Sequence, residues 1–490
     1  MKKYLLGTDV GTTGTKTILF DEDGTPLAHA YRGYTLSTPR VGYSEHDAED
    51  YLRAVAETVR EVCAALPEGG KVAAMALSTQ GGTLIPTDEA GTPLRPAIVW
   101  NDHRCVCERD AYLTEMGDAL SLYEKTGWKL GRGLPLLSAR HLKENEPDLF
   151  AKTARFLTVP DFIALRLTGR AAVDLSNAGI NQFADIRKKQ YDKDLLAFAG
   201  VRESQLPALV PSGEVIGTLT EEGAALLGLS TDTLLVSGAH DQYAVAFGAG
   251  ALKDGDILIG SGTCWVVTAI GGAPDFDSGL AQSVAATAGL WGSLASLSSG
   301  GVCLEWLRKN VAFSEDGRLI DFKTLDGEVA KRQAAADSLF FFPFSGKWET
   351  GRFTKASFTG LDLSHDRFHM ARAVMEGVVF QILWFMEAFK TKPAKTGIVL
   401  TGGASKSPVW AGMLADVSGL PVRTPKLPDL ACVGAALLAG LGAGLYPDAE
   451  SAYRRFAAEE TVILPSAEAH RMYAEALATY KKQANALACN

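Results

Sequence analysis

The sequence predicts a two-domain, layered α/β architecture, and three observations carry that prediction. The chain has 490 residues, more than one hydrophobic core ordinarily supports. Short apolar runs alternate with amphipathic segments through both halves, the pattern of strands covered by helices. A strand, a glycine-rich turn and a second strand near the start are echoed about half the chain later, at Ile257–Ile270. With 47% hydrophobic and 21% charged residues, there is material for two cores and no sign of a disordered chain.

Taken in order, Tyr4–Thr8 and Thr15–Phe20 read as antiparallel strands around Gly11–Gly14, and Asp21–Gly24 as the next turn. Glu49–Leu66 carries Leu52, Val55, Val59, Val62 and Leu66 at helical spacing. Lys71–Ser78 is a strand that runs into Thr79–Gly82, and Thr83–Pro86 with Pro96–Trp100 reads as a strand pair. Arg104–Asn145 is helical with a break at Gly127–Pro135, and Leu157–Thr168 is a helix stopped by Gly169. Leu234–Ser237 is a strand and Ala244–Leu252 a helix that passes from one domain to the next. Ile257–Ile259 and Trp265–Ile270 flank Gly260–Thr263. Ile398–Leu400 leads through Thr401–Ser407 into a helix at Val409–Ser418, with Ser407 at its cap and Pro408 in its first turn. Arg367–Phe389 is the longest helix candidate, Ala431–Tyr446 a buried helix too short to span a bilayer, and Ser451–Ala488 a helical tail.

Composition excludes several functions. A net charge of -9 argues against a nucleic-acid partner, which needs a basic face. The basic start at Lys2-Lys3 gives way to Gly-Thr-Asp before any apolar signal segment forms, and no membrane partner is expected. Seven scattered cysteines fit a reducing cytoplasm. Cys105-Val106-Cys107 beside His103 lacks a second cluster at ligand spacing, so free thiols are the expectation there.

The glycine turns carry the chemistry. Backbone N–H groups and Thr hydroxyls in Gly11–Gly14 can form an anion-binding concavity. Asp9 at the strand end either holds a divalent cation beside that anion or only stabilises the turn. The turns at Gly260–Thr263 and Thr401–Ser407 repeat the theme, and the helix start after Ser407 offers free N–H groups. Three such turns point to a nucleotide-phosphate site, and the absence of a GxxxxGK[ST] run disfavours a P-loop. Asp241 follows a strand and a Gly-Ala turn, as a base aimed into a cleft or as a helix cap.

The ordered set of motifs resembles the FGGY carbohydrate kinases, most like the xylulokinases. It consists of GTDVGTTGTK, Trp100-Asn101-Asp102-His103-Arg104, Gly238–Gln242, GSGTCW, Ala356–Leu361 with His369–Glu376, and Leu400–Ala404 with Ala431–Ala436. The resemblance implies two actin/hexokinase-like (ribonuclease H-like) lobes with an interlobe cleft. Residues 1–247 would be the N-terminal lobe, with the sugar side and the first phosphate loop. Residues 248–447 would be the nucleotide-binding C-terminal lobe, and 448–490 a helical tail packed on it. It further implies ATP and Mg2+, with Asp241 as the base that takes the acceptor proton, and Asp9 as the metal ligand. Gly11, Thr12, Thr13, Lys16, Gly262, Thr263, Gly402, Gly403 and Ser407 would meet the nucleotide. Gln80, Asp102 and Gln242 would meet the sugar, while Trp100 is left with the core.

Some positions depart from the family pattern. Gly82 stands where xylulokinases resemble Q-M-H-G with a histidine, and Ser138 and His141 stand where the first family signature expects Lys and Trp. Ser345–Glu349 replaces a more usual G-E-R. The expected activity is therefore ATP-dependent phosphorylation of a ketose, with ribulose, erythritol or glycerol as other acceptors. A sugar sensor or a protein-partnered ATPase on the same scaffold is the alternative of another class, and a homodimer is consistent with the sequence.

Overall fold

In the computed structural model, Lys3–Val10 and Gly14–Asp21 fold back on each other, in register from Tyr4 opposite Asp21 to Val10 opposite Thr15. The structure describes residues 2–312, 317–348, 351–353, 355–389, 396–457 and 459–487. Glu349 of the unusual Ser345–Glu349 segment lies outside them. The chain forms two compact units. One comprises Met1–Leu252, Gly272–Gly292 and Leu427–Ala458; the other comprises Lys253–Gly271, Ser293–Lys426 and Glu459–Asn490.

The first unit is built on a six-stranded sheet in the order Val215–Thr218, Leu234–His240, Lys71–Thr79, Lys3–Val10, Gly14–Asp21, Pro26–Gly33. Its three middle strands, Leu234–His240, Lys71–Thr79 and Lys3–Val10, run parallel. Helix Ala48–Cys63 opens on Asp47, whose side chain accepts from Glu49 N, and buries Leu52, Val55, Val59 and Val62 among Leu6, Val10 and Met75. Helix Leu430–Gly442 covers the other face of Lys3–Val10 so tightly that a Cβ on Gly7 would meet Cys432 O at 1.8 Å. Only glycine permits that approach.

The second unit repeats the central motif. Asp256–Ser261 pairs antiparallel with Trp265–Gly271 and parallel with Gly397–Gly402, as Lys3–Val10 does with its own two neighbours. The half-chain echo in the sequence is thus an echo in topology. Helix Ala467–Leu487 packs on this unit: Tyr473 and Tyr480 are buried, the Tyr473 hydroxyl donates to Glu376, and the Tyr480 hydroxyl accepts from Gln381.

Five expectations change. The helix expected at Ala244–Leu252 runs from Asp241 to Gly248 and ends inside the first unit, and Ala467–Leu487, not Arg367–Met386, is the longest among the described residues. Thr83–Pro86 and Pro96–Trp100 meet only at a Leu84–Ile98 bridge; Ile85–Thr87 pairs instead with Arg155–Leu157, and Ala97–Ile98 with Glu45–His46. The helix expected from Leu157 begins at Val159, because Thr158 and Asp161 form a reciprocal capping box that fixes its start. The tail is not one helix: Glu460–Ile463 forms an edge strand against Val422–Pro425, as its Thr-Val-Ile run favours.

Candidate functional site

The middle strands of the first unit deliver their carboxyl ends side by side. Val10 is in register with Thr79, and Thr79 with His240. Asp9, Gln80 and Asp241 therefore emerge at one sheet edge, the usual ligand-binding end of parallel strands. A bulge between Val236 and Ala239 re-aims the last strand as it ends. Gly238 makes this possible, since a Cβ there would lie 1.6 Å from Leu77 O.

Asp241 is the first residue of helix Asp241–Gly248, and its Oδ1 accepts from Gln242 N at 2.6 Å. Its side chain is 35% exposed, so the carboxylate can be reached from outside. Gln242 is half-buried beside it. Asp9 Oδ1 accepts from the Ser78 hydroxyl at 2.7 Å. Burial pushes the Asp9 carboxyl up to about 7; Asp429 and Asp241 add to the rise, and the Ser78 bond and Lys16 oppose it. Mutually repelling carboxylates around one ammonium form a field that a divalent cation offsets, so these residues fit Mg2+.

Gly11 N donates to Gly14 O at 3.0 Å, which closes the first turn, and the Tyr34 hydroxyl donates to Gly11 O at 2.6 Å. Thr13 is exposed. The Thr12 hydroxyl donates to Gln80 Oε1 at 3.0 Å and accepts from the Trp100 indole N–H at 3.1 Å. Gln80 is buried, and its Nε2 donates to the Tyr51 hydroxyl. Lys16 reaches Asp429 at 2.6 Å, and Asp429 itself caps helix Leu430–Gly442. Asp102 is fully buried: its oxygens accept from Ser44 N, Arg104 N and the Arg104 guanidinium at 2.6–3.0 Å. Arg104 also stacks 4.0 Å from the centre of the Tyr43 ring.

In the second unit, Gly262 and Thr263 form the turn after Asp256–Ser261, with Gly262 N donating to Cys264 O and both residues exposed. Ser261 ties this turn to the next: its backbone O accepts from Gly403 N at 2.7 Å, and its hydroxyl accepts from Ala404 N at 2.9 Å. Gly402 has φ +84°, and a Cβ on it would lie 2.6 Å from Ser261 O. Ser407 caps helix Pro408–Ser418 by accepting from Trp410 N. The structure thus gathers Asp9, Gly11, Thr12, Lys16, Gln80, Asp102, Asp241 and Gln242 in the first unit, and Gly262, Thr263, Gly402, Gly403 and Ser407 in the second.

Three residues near these groups were not among the site residues read from the sequence, and one of them, Trp100, was assigned to the core. Trp100 is 45% exposed and bonded to Thr12, not buried in the core as tryptophans usually are. Asp429 lies more than four hundred residues from its partner Lys16, and no local pattern signals that pairing. His240 is buried against Gly81, where a Cβ would sit 2.6 Å from its ring. In the sequence it is signalled by its place in the Gly238–Gln242 motif and by the paired glycines at 81 and 82.

Known proteins share this fold. The N-terminal domain of the FGGY family of carbohydrate kinases matches residues 4–248, and the C-terminal domain of the same family matches residues 256–443. A gluconokinase from Bacillus subtilis is 29% identical, over 91% of this chain and 88% of its own length. A xylulose kinase from the same organism is 28% identical, over 98% and 96%. The crystal structure of xylulose kinase from Rhodospirillum rubrum superposes with a TM-score of 0.88 at 28% identity, covering 99% of both chains. Among the described residues, no helix is long and apolar enough to cross a membrane. With both domains matched in order along nearly its whole length, the chain belongs to the FGGY family of carbohydrate kinases.

Proposed function

We propose that this carbohydrate kinase transfers the γ-phosphoryl group of ATP to a hydroxyl of a small ketose, with Asp241 as the base that takes the hydroxyl proton. The observation that carries this reading is the emergence of Asp9, Gln80 and Asp241 at one end of three adjacent parallel strands, with the Asp241 carboxylate open to solvent. Mg2+, held by Asp9, would offset phosphate charge. The turns at Gly11–Thr13 and Gly262–Thr263 offer N–H and hydroxyl donors to phosphate oxygens, and Lys16 adds a positive charge. Gly402, Gly403 and Ser407 shape the turn that receives the nucleoside. Gln242 hydrogen-bonds the sugar. Gln80 and Asp102 act from beneath, because their polar atoms are already spent on Thr12, Tyr51, Ser44 and Arg104. The six free cysteines among the described residues suit a cytoplasmic enzyme.

The ketose assignment rests on neutral hydrogen-bonding groups around His240. A side chain at Gly82, which has φ +75°, would be strained and would press on Leu134 and Ile180, so the histidine of related loops has no room there. His240 Nδ1 lies 3.2 Å from the Asp241 carboxylate, while Trp128 Nε1 and Gln182 Oε1 are buried without a hydrogen-bond partner; the Trp128 and His240 rings lie 6.0 Å apart. Unspent buried donors and acceptors cost about 1–3 kcal/mol each until something pairs them. Sugar hydroxyls do so without bringing a charge.

A coupled ADP assay across pentuloses, hexuloses, tetritols, glycerol and gluconate tests the substrate class. Ketose-stimulated ADP release is expected. Gluconate preference would refute the ketose assignment, and release stimulated by no sugar would favour a sensor or protein-partnered ATPase. Asp241→Ala should keep nucleotide affinity and lose transfer by roughly 100-fold or more, the scale of general-base catalysis. Unimpaired turnover in that variant would refute the base assignment.

A further inference from the structure

We infer that Cys105, Glu108 and His141 form a zinc site on the first unit, separate from the phosphoryl-transfer residues. Their ligand atoms all lie within 4.8 Å of one another, the one such His/Cys/carboxylate group among the described residues. A tetrahedral zinc ion needs ligand atoms about 3.3–3.7 Å apart, so small side-chain rotations close the remaining gap. Cys105 and Glu108 are buried, and the His141 side chain is 12% exposed.

The surroundings fit a metal better than a bare ion pair. Glu108 Oε1 is held by His141 at 2.8 Å and Asn145 at 3.1 Å, whereas its Oε2 is buried with no hydrogen-bond partner. A buried carboxylate oxygen left unpaired is expensive, and a cation beside it removes that cost. Cys105 occupies the N-cap of helix Val106–Glu115, yet its side chain makes no capping bond; burial and the nearby Glu108 push its thiol pKa up, so the thiolate forms only with the cation bound. One thiolate and one carboxylate neutralise a divalent ion, and sulfur, nitrogen and oxygen donors together suit zinc rather than magnesium or calcium. On binding, the Cys105 thiol proton passes to solvent and the His141–Glu108 hydrogen bond is exchanged for metal bonds. Asn145 stays on Glu108 as an outer support.

His141 and Asn145 line a surface depression with Glu45 and Glu146 as well as Arg40, Arg95 and Arg104, and the depression gives the ion an entry. The site would staple helix Val106–Glu115 to helix Pro135–Asn145, the first of which begins just after Trp100–Arg104. Its role is to steady that segment, not to take part in transfer. His141 is also one of the positions where this chain departs from the FGGY signature, so the site is expected here and not in relatives that carry tryptophan there.

The test uses the full-length enzyme, stripped with a chelator and titrated with Co2+, then with Zn2+ against a chromophoric chelator. One equivalent of cobalt should produce thiolate-to-metal charge-transfer absorption in the near ultraviolet, and zinc should displace it. Cys105→Ser and His141→Trp should each weaken zinc binding by more than roughly 100-fold, the upper end of the loss from an outer-shell partner. Cys107→Ser, at an exposed thiol two residues away, should leave both signals intact. Cobalt bound only with oxygen ligands gives no thiolate band, so a metal at the nucleotide site is not mistaken for this one. Absence of the band in folded wild-type protein, or its persistence in folded Cys105→Ser, overturns the assignment. If Cys105→Ser fails to fold, an unaltered zinc affinity in His141→Trp overturns it instead.

Discussion

Replacing Gly81 with alanine adds one methyl group to the loop at the end of strand Lys71–Thr79, in the only direction that His240 closes. The new Cβ would lie 2.6 Å from His240 Cδ2 and 2.8 Å from Ile180 Cγ2. Gly81 has an ordinary backbone conformation, so the substitution introduces no φ strain. To restore contact, the imidazole must withdraw by about 0.8 Å, and overpacking of this kind costs about 1–3 kcal/mol of stability. His240 immediately precedes the proposed base, so its displacement carries Asp241 and the acceptor pocket with it. A misplacement near 1 Å can cost about 100-fold in rate. We therefore expect Gly81→Ala to lower kcat/KM for the preferred ketose by about 100-fold, with KM for ATP unchanged. Steady-state ADP release at saturating ATP measures the first quantity, and an ATP titration the second. Wild-type kcat/KM in a folded Gly81→Ala enzyme would show that the His240 ring has no part in the acceptor site.

Other perturbations separate structural roles from chemical ones. Asp102→Ala removes one of the two carboxylates on Arg104, whose side chain is only 2% exposed, and leaves Glu45 at 2.8 Å. It should cost about 1.5–3 kcal/mol in urea unfolding, the scale of a lost charge-assisted hydrogen bond; an unchanged midpoint would show the pair to be dispensable. Gly402→Ala forces a Cβ against Ser261 O at φ +84°, and strain of about 1–2 kcal/mol should raise KM for ATP roughly tenfold while KM for the sugar holds. A rise in the sugar KM alone would contradict the nucleoside reading of that turn. Burial pushes the Asp161 carboxyl up to about 7, although its Thr158 partners pull the other way. The folded state then holds a proton that the unfolded state has released, so this residue's contribution is full below about pH 4 and is lost as pH rises to about 7. Asp161→Asn should flatten that part of the stability profile, by up to about 4 kcal/mol across the window. A slope identical to wild type would rule Asp161 out as its source.

Local chemistry made much of the molecule readable in advance. The glycine turns, the Ser407-Pro408 helix start and the apolar stripe of Ala48–Cys63 each follow from rules that act within a few residues, and all three appear in the structure. Strand pairing was harder: whether Ile85–Thr87 joins Pro96–Trp100 or Arg155–Leu157 depends on contacts across seventy residues, which no local pattern encodes. The same holds within the candidate site. Thr12, Lys16 and Asp102 were visible as polar residues in suggestive places, but their partners Gln80, Asp429 and Ser44 come from distant segments. The exposure of Trp100 and the packing of His240 on Gly81 exist only once the sheet has formed.

The intimate fit of Cys432 over Gly7 has a bearing on biosynthesis. The first unit draws its final helices from Leu427–Ala458, and the polypeptide passes between the units five times along its length. A ribosome-bound fragment ending near residue 252 would leave the floor beneath Lys3–Val10 bare, so the early domain cannot mature ahead of the late one. Truncation or delayed synthesis of the last hundred residues should leave nascent chains dependent on chaperones, and an isolated N-terminal half should be insoluble unless residues 427–458 are grafted back onto it.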